Sequence, residues 1–495
     1  MMTPESPDES PPRDSDGTML DGTTELSPRT DPAVPAMVEA EPDLSQKREP
    51  PPPEGPAGPT PLVPFGARFE PIKVVDVHAD QPLRTIMGLE RYRMVQALVR
   101  FHGTPVGYAR IPVVNGRCPA AAQRDAIVQR LGRDLLTHLA EDALGEGVKP
   151  YDPAAPVAAE LAHPGPSGRL PTITVAVCTR DHPDSLFRCL QSIAALDYPS
   201  LDVIVVDNAP SDDSTRAVVT GHFKQMRYVR ELRPGLNWAR NRAATEARGE
   251  VIAYTDDDVV VDLGWVTSLG RAFAEDERVG AVTGLVVPLE LETRAQLLFE
   301  LYGGFGRGFK TIWYRVGPTS KLHVGAGRFG TGANMAFRRT VLQELGGFDP
   351  ALDVGTVTNG GGDLEMFFRV LQEGNVLLYD PAAIVRHCHR RDYEALRVQL
   401  TNHGIGFYSY AVRSVLAYPK QFPSFAWFTG WWLFRWILRR LLVSLARPGR
   451  FPRELVLAEW RGAFQGLTRY PRARREAARL EGAGAEAPSG AGVTA

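Results

Sequence analysis

Three consecutive carboxylates, Asp256-Asp257-Asp258, close the apolar run Val251-Ile252-Ala253-Tyr254-Thr255. Crowded like charges disfavour one another's ionisation. A hard divalent cation such as Mg or Mn resolves the conflict and keeps positions open for substrate phosphates. A solvated acidic turn is the plain alternative for this stretch taken by itself. Two further apolar runs end in the same kind of polar group: Ile173 to Cys178 leads into Thr179-Arg180-Asp181, and Leu201 to Val206 leads into Asp207-Asn208. One acidic strand end is commonly a cap or a turn. Three together point to a phosphate-bearing donor held by its diphosphate through a metal.

Such chemistry needs strands that end side by side. The β-branched run from Ile173 suits a strand covered on both faces, and Leu186, Cys189, Leu190 and Ile193 then recur at helical spacing. Further strands are expected at Leu201 to Val206, Met226 to Arg230 and Val251 to Thr255, with a helix of small residues over Asn237 to Ala247. Strands alternating with helices imply a parallel, helix-covered sheet, whose ligands sit at the carboxyl ends of the strands.

Between about Thr172 and His389 the motifs follow an order that resembles family 2 glycosyltransferases of the inverting GT-A fold. Val177-Cys178-Thr179-Arg180-Asp181 resembles the nucleotide-holding opening strand and loop, where the family more often shows Pro-Thr-Tyr-Asn. Val206-Asp207-Asn208 is similar to the next motif, Pro234-Gly235 with Ala239-Arg240-Asn241 to the helix whose Arg faces the nucleotide, and Asp256-Asp257-Asp258 to the DXD motif. Gly330 to Arg339 resembles the acceptor-side strand, ahead of a helix over Thr340 to Leu345 and the signature Gly346-Gly347-Phe348-Asp349. Gly361-Gly362-Asp363-Leu364-Glu365, with Arg369 and Gly374, stands where the family shows Glu-Asp-x-Asp-Leu, so Gly362 replaces the usual Glu. Val385-Arg386-His387 matches a late histidine, with His389 a nearby competitor.

The resemblance implies an α/β GT-A fold, Rossmann-like, with a mixed but mostly parallel sheet and helices on both faces. It implies nucleotide-sugar contacts from Thr179, Asp181, Asp207, Arg240, Asp256 and Asp257, a metal on Asp258 and His387, and Asp363 as catalytic base. The acceptor side falls around Asn334 and Trp313. An inverting transfer needs one carboxylate to take the acceptor's proton and a Lewis acid for the departing diphosphate. For Asp363 the alternative is an N-cap on the helix that runs to Gln372. For the chain, the alternatives are a nucleotidyltransferase of similar fold and a non-catalytic nucleotide- or glycan-binding derivative. Processive synthases of the superfamily carry Gln-x-x-Arg-Trp, whereas Trp432-Leu433-Phe434-Arg435-Trp436 has Trp in place of Gln, which favours transfer of a single sugar.

Composition sets the frame. With 495 residues, 43% of them hydrophobic, the chain can bury more than one core. Its formal charge of -2 gives no reason to expect a nucleic-acid partner. Residues 1–60 hold 13 acidic and 4 basic residues and 14 prolines, so 1–65 is expected to be a disordered acidic tail. Residues 66–148 read as a small α+β domain of opaque role, with strands at Ile72 to Val77, Met94 to Phe101 and Val106 to Ile111 and a helix near Ala120 to Ala140. A linker over 149–171, the GT-A domain over 172–400, a basic aromatic helical region over 401–475 and a disordered tail over 476–495 complete the expected plan.

Residues 411–475 carry 13 Lys/Arg against Glu454 and Glu459. Their uncharged stretch between Lys420 and Arg435 is 14 residues, short of the ~20 a spanning helix needs. Tryptophans beside arginines suit an anionic membrane interface, as a lipid-linked acceptor would require. The alternative is a helical pair packed on the domain. Four scattered cysteines and an acidic, proline-rich start imply a reducing compartment without a signal peptide, hence a cytoplasmic protein, peripheral on the inner face of the membrane and suited to cell-envelope polysaccharide biosynthesis.

Overall fold

The computed structural model describes residues 69–145, 169–316, 322–446 and 451–485. The expected tail 1–65, most of the linker 149–171 and the last ten residues lie outside them.

Nine strands build one sheet. In chain order they are β4 (Ile173–Thr179), β5 (Leu201–Asn208), β6 (Arg227–Glu231), β7 (Val251–Asp256), β8 (Val259–Val261), β9 (Val279–Pro288), β10 (Ile312–Tyr314), β11 (Asn334–Arg338) and β12 (Val376–His387). Across the sheet the order is β10-β12-β9-β11-β7-β4-β5-β6, with β8 on β12. β4 pairs in parallel with β5 and β7, β5 with β6, and β9 with β12, while β8, β10 and β11 run antiparallel to their neighbours. The sheet is therefore mixed but mostly parallel, with helices on both faces, and its register brings the ends of β4, β5 and β7 to one edge.

β9 is buried along its whole length, which accounts for its nearly continuous apolar sequence, and the hydroxyl of its one polar residue, Thr283, donates to Phe329 O. One core joins α2 (Pro183–Ala194) and α5 (Trp265–Glu275) to β4, β7 and β9; its members include Leu186, Cys189, Leu190, Ile193, Trp265 and Phe273. The opposite core receives Ala239 and Ala243 of α4 (Leu236–Glu246) and Met366, Phe367 and Val370 of α8 (Gly362–Gln372). The small residues of α4 thus let a backbone approach the sheet closely beside the site. Between these elements lie α3 (Ser214–His222), α6 (Arg294–Tyr302) and α7 (Arg339–Glu344).

The small domain consists of β1 (Ile72–His78), β2 (Met94–Phe101), β3 (Thr104–Pro112) and α1 (Ala120–Gly145). It has its own core, including Val95, Val99, Ile111 and Ile127, and it also meets the large sheet. Leu98 packs with Leu285, Val287 and Ile384, and Tyr108 sets its ring edge-on to Phe309. Two arginines and two aspartates close this seam: Arg100 and Arg386 each pair with both Asp76 and Asp262, at 2.5 to 3.2 Å. Arg386 is the chain neighbour of His387, so the domain of opaque role holds the end of β12.

The C-terminal region is helical: α9 (Tyr393–Ala417), α10 (Phe422–Trp431), a π-helical stretch over Trp432–Leu438, α11 (Arg439–Ala446) and α12 (Arg453–Ala485). α9 crosses the expected boundary at 400, and α12 runs ten residues into the expected tail because Glu476 to Leu480 are good helix formers. α12 packs along α9 where Gly404, Gly462 and Gly466 let the two backbones meet.

Candidate donor, metal and base site

The two ends of the DXD run behave differently. Asp256 and Asp258 group with His387, with one ligand atom from each within 4.8 Å of the others. Asp257 instead accepts from Thr179 Oγ1 at 2.5 Å and faces His182 Nδ1 at 3.2 Å, fastening the loop after β4 to the loop after β7. Asp256 therefore joins the cation-ready set as well as the expected nucleotide side. Burial, then the adjacent carboxylates, push Asp256 and Asp258 above the ordinary carboxylate range. Burial, reinforced by His389, holds His387 well below the usual imidazole range, so it is neutral.

A divalent cation fits this set. Asp258 Oδ1 is buried without a hydrogen-bond partner, and His387 Nε2 faces it at 3.3 Å. An orphaned buried carboxylate oxygen is costly, and a hard cation shared by two carboxylates and a neutral imidazole removes that cost. His389 lies behind His387, its Nδ1 3.1 Å from His387 Nδ1, and is not in the group.

Asp207 at the end of β5 is fully buried; its Oδ2 accepts from Tyr228 at 2.7 Å, and its Oδ1 has no partner among the described residues. Burial raises this carboxyl above its ordinary range. Asn208 beside it accepts from the Gly235 amide at 2.9 Å and donates to Arg233 O at 2.8 Å, so β5 fixes the Pro234-Gly235 turn ahead of α4. Asp181, in a left-handed conformation, accepts from the Ser211 amide at 2.9 Å, which holds its carboxyl below the usual range and ties two loops together.

Arg240 on α4 is 4% exposed. It donates to Asp353 at 2.6 Å and to Asn237 at 3.1 Å, and it feels the charges of Asp256 and Asp363. Asp363 lies in the first turn of α8, two residues after the N-cap Gly361, which is left-handed and makes no side-chain cap bond. Asp363 Oδ2 accepts from the Gly332 amide and Oδ1 from the Leu364 amide, both at 2.8 Å. Each carboxylate oxygen keeps a second lone pair for a proton. Burial and Asp353 raise Asp363, against Arg240. The turn before β11 links Asp363 to the carboxylate–histidine cluster: Gly332 donates to Asp363, and the next residue, Ala333, accepts from Thr255, the neighbour of Asp256.

Gly362 has a physical reason. A Cβ there would lie 2.6 Å from Asp353 Oδ2 and collide with the Asn237 amide, so Asp353 occupies the space beside the base that a longer side chain would need. Asp353 sits in no regular element and no motif, so only the closed fold reveals it. Of the acceptor-side pair, Asn334 is fully buried and spends its amide on Leu285 O, Ala383 O and the Trp265 indole N–H at 2.8 to 3.1 Å. It shapes the sheet next to the site and has no free atom for an acceptor, because β11 runs between β7 and β9. Trp313 on β10 pairs with Leu378, opposite Val282 of β9, whereas His387 pairs opposite Pro288. That is six residues along the sheet, about 20 Å, so the structure does not bring Trp313 to the cluster.

Residues 174–346 match the family model Glycosyl transferase family 2. Over 214 residues the chain is 29% identical to human polypeptide N-acetylgalactosaminyltransferase 13, covering 39% of this chain and 36% of that protein. Over 233 residues it is 25% identical to the glucosyl-dolichyl phosphate glucuronosyltransferase of Haloferax volcanii, covering 43% of this chain and 68% of that protein. The structure of a mannosyltransferase from Pyrobaculum calidifontis with GDP-Man and Mn2+ is similar at a TM-score of 0.37 and 22% identity, over 73% of this chain and 85% of that one. The chain spans about a third of the length of the N-acetylgalactosaminyltransferase. The motif series and the sheet order agree with the family match: residues 174–346 resemble a glycosyl transferase family 2 domain.

Proposed function

We propose that this protein transfers a single sugar, with inversion, from a nucleoside-diphosphate sugar to a hydroxyl of a glycan or lipid-linked acceptor. The observation that supports this reading is the junction at Gly332, where the turn that bonds the half-buried Asp363 carboxylate is also bonded to Thr255, the neighbour of Asp256 in the Asp256–Asp258–His387 cluster. Asp207, with its orphaned buried oxygen, is suited to a donor group of the base or ribose. Asp363 takes the proton of the acceptor hydroxyl as the acceptor oxygen bonds to the anomeric carbon, and the bond from that carbon to the phosphate oxygen breaks with its electron pair left on the diphosphate. Asp256, Asp258 and His387 are the residues that would hold a Mg or Mn ion, and the chemistry it would supply there is Lewis-acid stabilisation of that charge. Arg240, locked by Asp353, holds the charge balance between cluster and base.

The named relatives support the class: one transfers N-acetylgalactosamine and one acts on a dolichyl-phosphate-linked sugar. The second favours a lipid-linked acceptor, and with it a working place at an anionic membrane surface on the cytoplasmic side, in cell-envelope polysaccharide assembly. No helix among the described residues is long and apolar enough to cross a membrane. The test is a screen of nucleoside-diphosphate sugars with Mn2+ or Mg2+, reading nucleoside diphosphate release and the product anomer. The proposal expects an inverted product from wild type and none from Asp363→Asn or Asp258→Asn. Wild-type turnover in either variant would remove the assignment.

A further inference from the structure

Two residues with no assigned role stand behind the cation set. His389 is 2% exposed and its Nε2 lies 2.8 Å from Glu300 Oε1, while its Nδ1 lies 3.1 Å from His387 Nδ1. The three side chains form one line: Glu300, His389, His387, then Asp258 Oδ1. Their walls are aromatic, with Phe299 against His389 at 4.7 Å and Phe305 against His387 at 5.1 Å between ring centres. Gly304 leaves the room, since a Cβ there would lie 2.7 Å from Glu300 Oε1.

Proton counting gives the line a direction. A carboxylate only accepts, so His389 Nε2 carries the hydrogen that bonds Glu300. Ligation through His387 Nε2 uses that nitrogen's lone pair and leaves the hydrogen on His387 Nδ1, donated across the close Nδ1···Nδ1 contact to His389. His387 is thereby the Nδ1–H tautomer, and its Nε2 lone pair faces Asp258 Oδ1, itself an acceptor without a donor. Two acceptors pointed at one gap is the arrangement a cation completes. With the line reversed, His387 would point an N–H into the gap and His389 would point a lone pair at Glu300.

We propose that Glu300 and His389 are positioning residues that fix the tautomer and orientation of His387 for metal ligation. The proposal rests on the reading of Asp256, Asp258 and His387 as the cation site, and its test separates the two. Partners of this kind raise ligand basicity and lock ring orientation, and their loss typically weakens metal binding 10–100-fold.

The experiment measures Mn2+ binding alone, by calorimetry and by the electron paramagnetic resonance signal of free Mn2+, on the full chain without donor. The variants are His387→Ala, His389→Phe, His389→Asn and Glu300→Gln, each checked for its melting transition. His389→Phe keeps the ring packing and loses the acceptor, so binding should weaken about 10–100-fold. His389→Asn places an amide oxygen near the former Nδ1 and should recover most of that loss. Glu300→Gln is isosteric but can donate as well as accept. In metal-free protein with 15N-labelled histidine it should move part of His387 to the Nε2–H tautomer, a change that packing alone does not produce. If His387→Ala loses Mn2+ while His389→Phe and Glu300→Gln bind within twofold of wild type and keep the tautomer, the proposal is overturned and the metal site stands. If His387→Ala binds Mn2+ as wild type does, the metal reading falls and takes the proposal with it.

Discussion

At the scale of single residues, the proton inventory around Asp363 makes the sharpest claim. Its carboxyl is raised first by burial and then by Asp353, while Arg240 pulls it down. A raised base is protonated, and idle, over a wider acid range, so kcat/KM should rise with pH along a limb above the ordinary value of about 3.9. Asp353→Asn removes a negative neighbour and frees Arg240 toward Asp363. Both changes favour the carboxylate, so the acid limb should move to lower pH; a limb that stays or moves upward contradicts this geometry. Metal addition is the second expectation at this scale. Mn2+ at a hundred times its Kd should stabilise the donor-free protein by about 2.7 kcal/mol, and Asp258→Asn should abolish the thermal shift, because Asp258 Oδ1 is the orphaned atom the ion satisfies.

At the scale of elements, the close contact of α8 with the loop carrying Asp353 can be tested by exchange. Gly362→Glu forces a side chain into space held by Asp353 and Asn237. Overpacking of this kind costs about 1–3 kcal/mol, and activity should fall at least tenfold. Asp353→Gly added to Gly362→Glu returns a carboxylate to the same place from the other segment. The double variant should recover part of both losses, a coupling that a double-mutant cycle measures; strictly additive losses would show that the two positions do not share one space. The strands from Ile173 to Thr255 and the helices at Leu186 and Ala239 were legible in the sequence because hydrophobic period and strand-end acids are local signals. The cluster of Asp256, Asp258 and His387 was partly legible, through chain order alone. What stayed hidden has no local signature. Asp353 lies in an irregular loop, Glu300 reads as one more polar residue of α6, and Asn334 reads as an acceptor-side residue until β11 is seen to run between β7 and β9.

At the scale of the molecule, the unanswered surface runs along 422–446. This stretch is one helical path through α10, the π-helical segment and α11, held on α9 by Phe425 against Tyr410 and by Phe428 and Trp432 against Phe407. Trp427, Phe434, Leu438, Leu442 and Leu445 recur near helical spacing and are all exposed, Trp427 at 57% and Phe434 at 67%. Arg435 and Arg439 stand exposed among them, and no acidic residue occurs between Lys420 and Ala446. An apolar stripe beside cations fits the interface of an anionic bilayer, where aromatic rings sit at headgroup level and each nearby Lys or Arg adds about 1 kcal/mol. The segment is anchored to the catalytic domain through Arg440, which donates to Tyr302 O at 2.5 Å and lies 3.7 Å over the Trp436 ring. Tyr302 belongs to α6, the helix that also carries Glu300, so the stripe is joined through one helix to the residues behind His387. Vesicles with a third phosphatidylglycerol should therefore float the full chain at low salt, and vesicles of phosphatidylcholine alone should not. Trp427→Ser with Phe434→Ser should cut the bound fraction severalfold and leave turnover of a water-soluble acceptor unchanged. Raising salt toward 1 M shortens the screening length to about 3 Å and should release most of the remainder. Flotation equal on both lipids, or unmoved by the double substitution, would show that the stripe faces something other than a membrane.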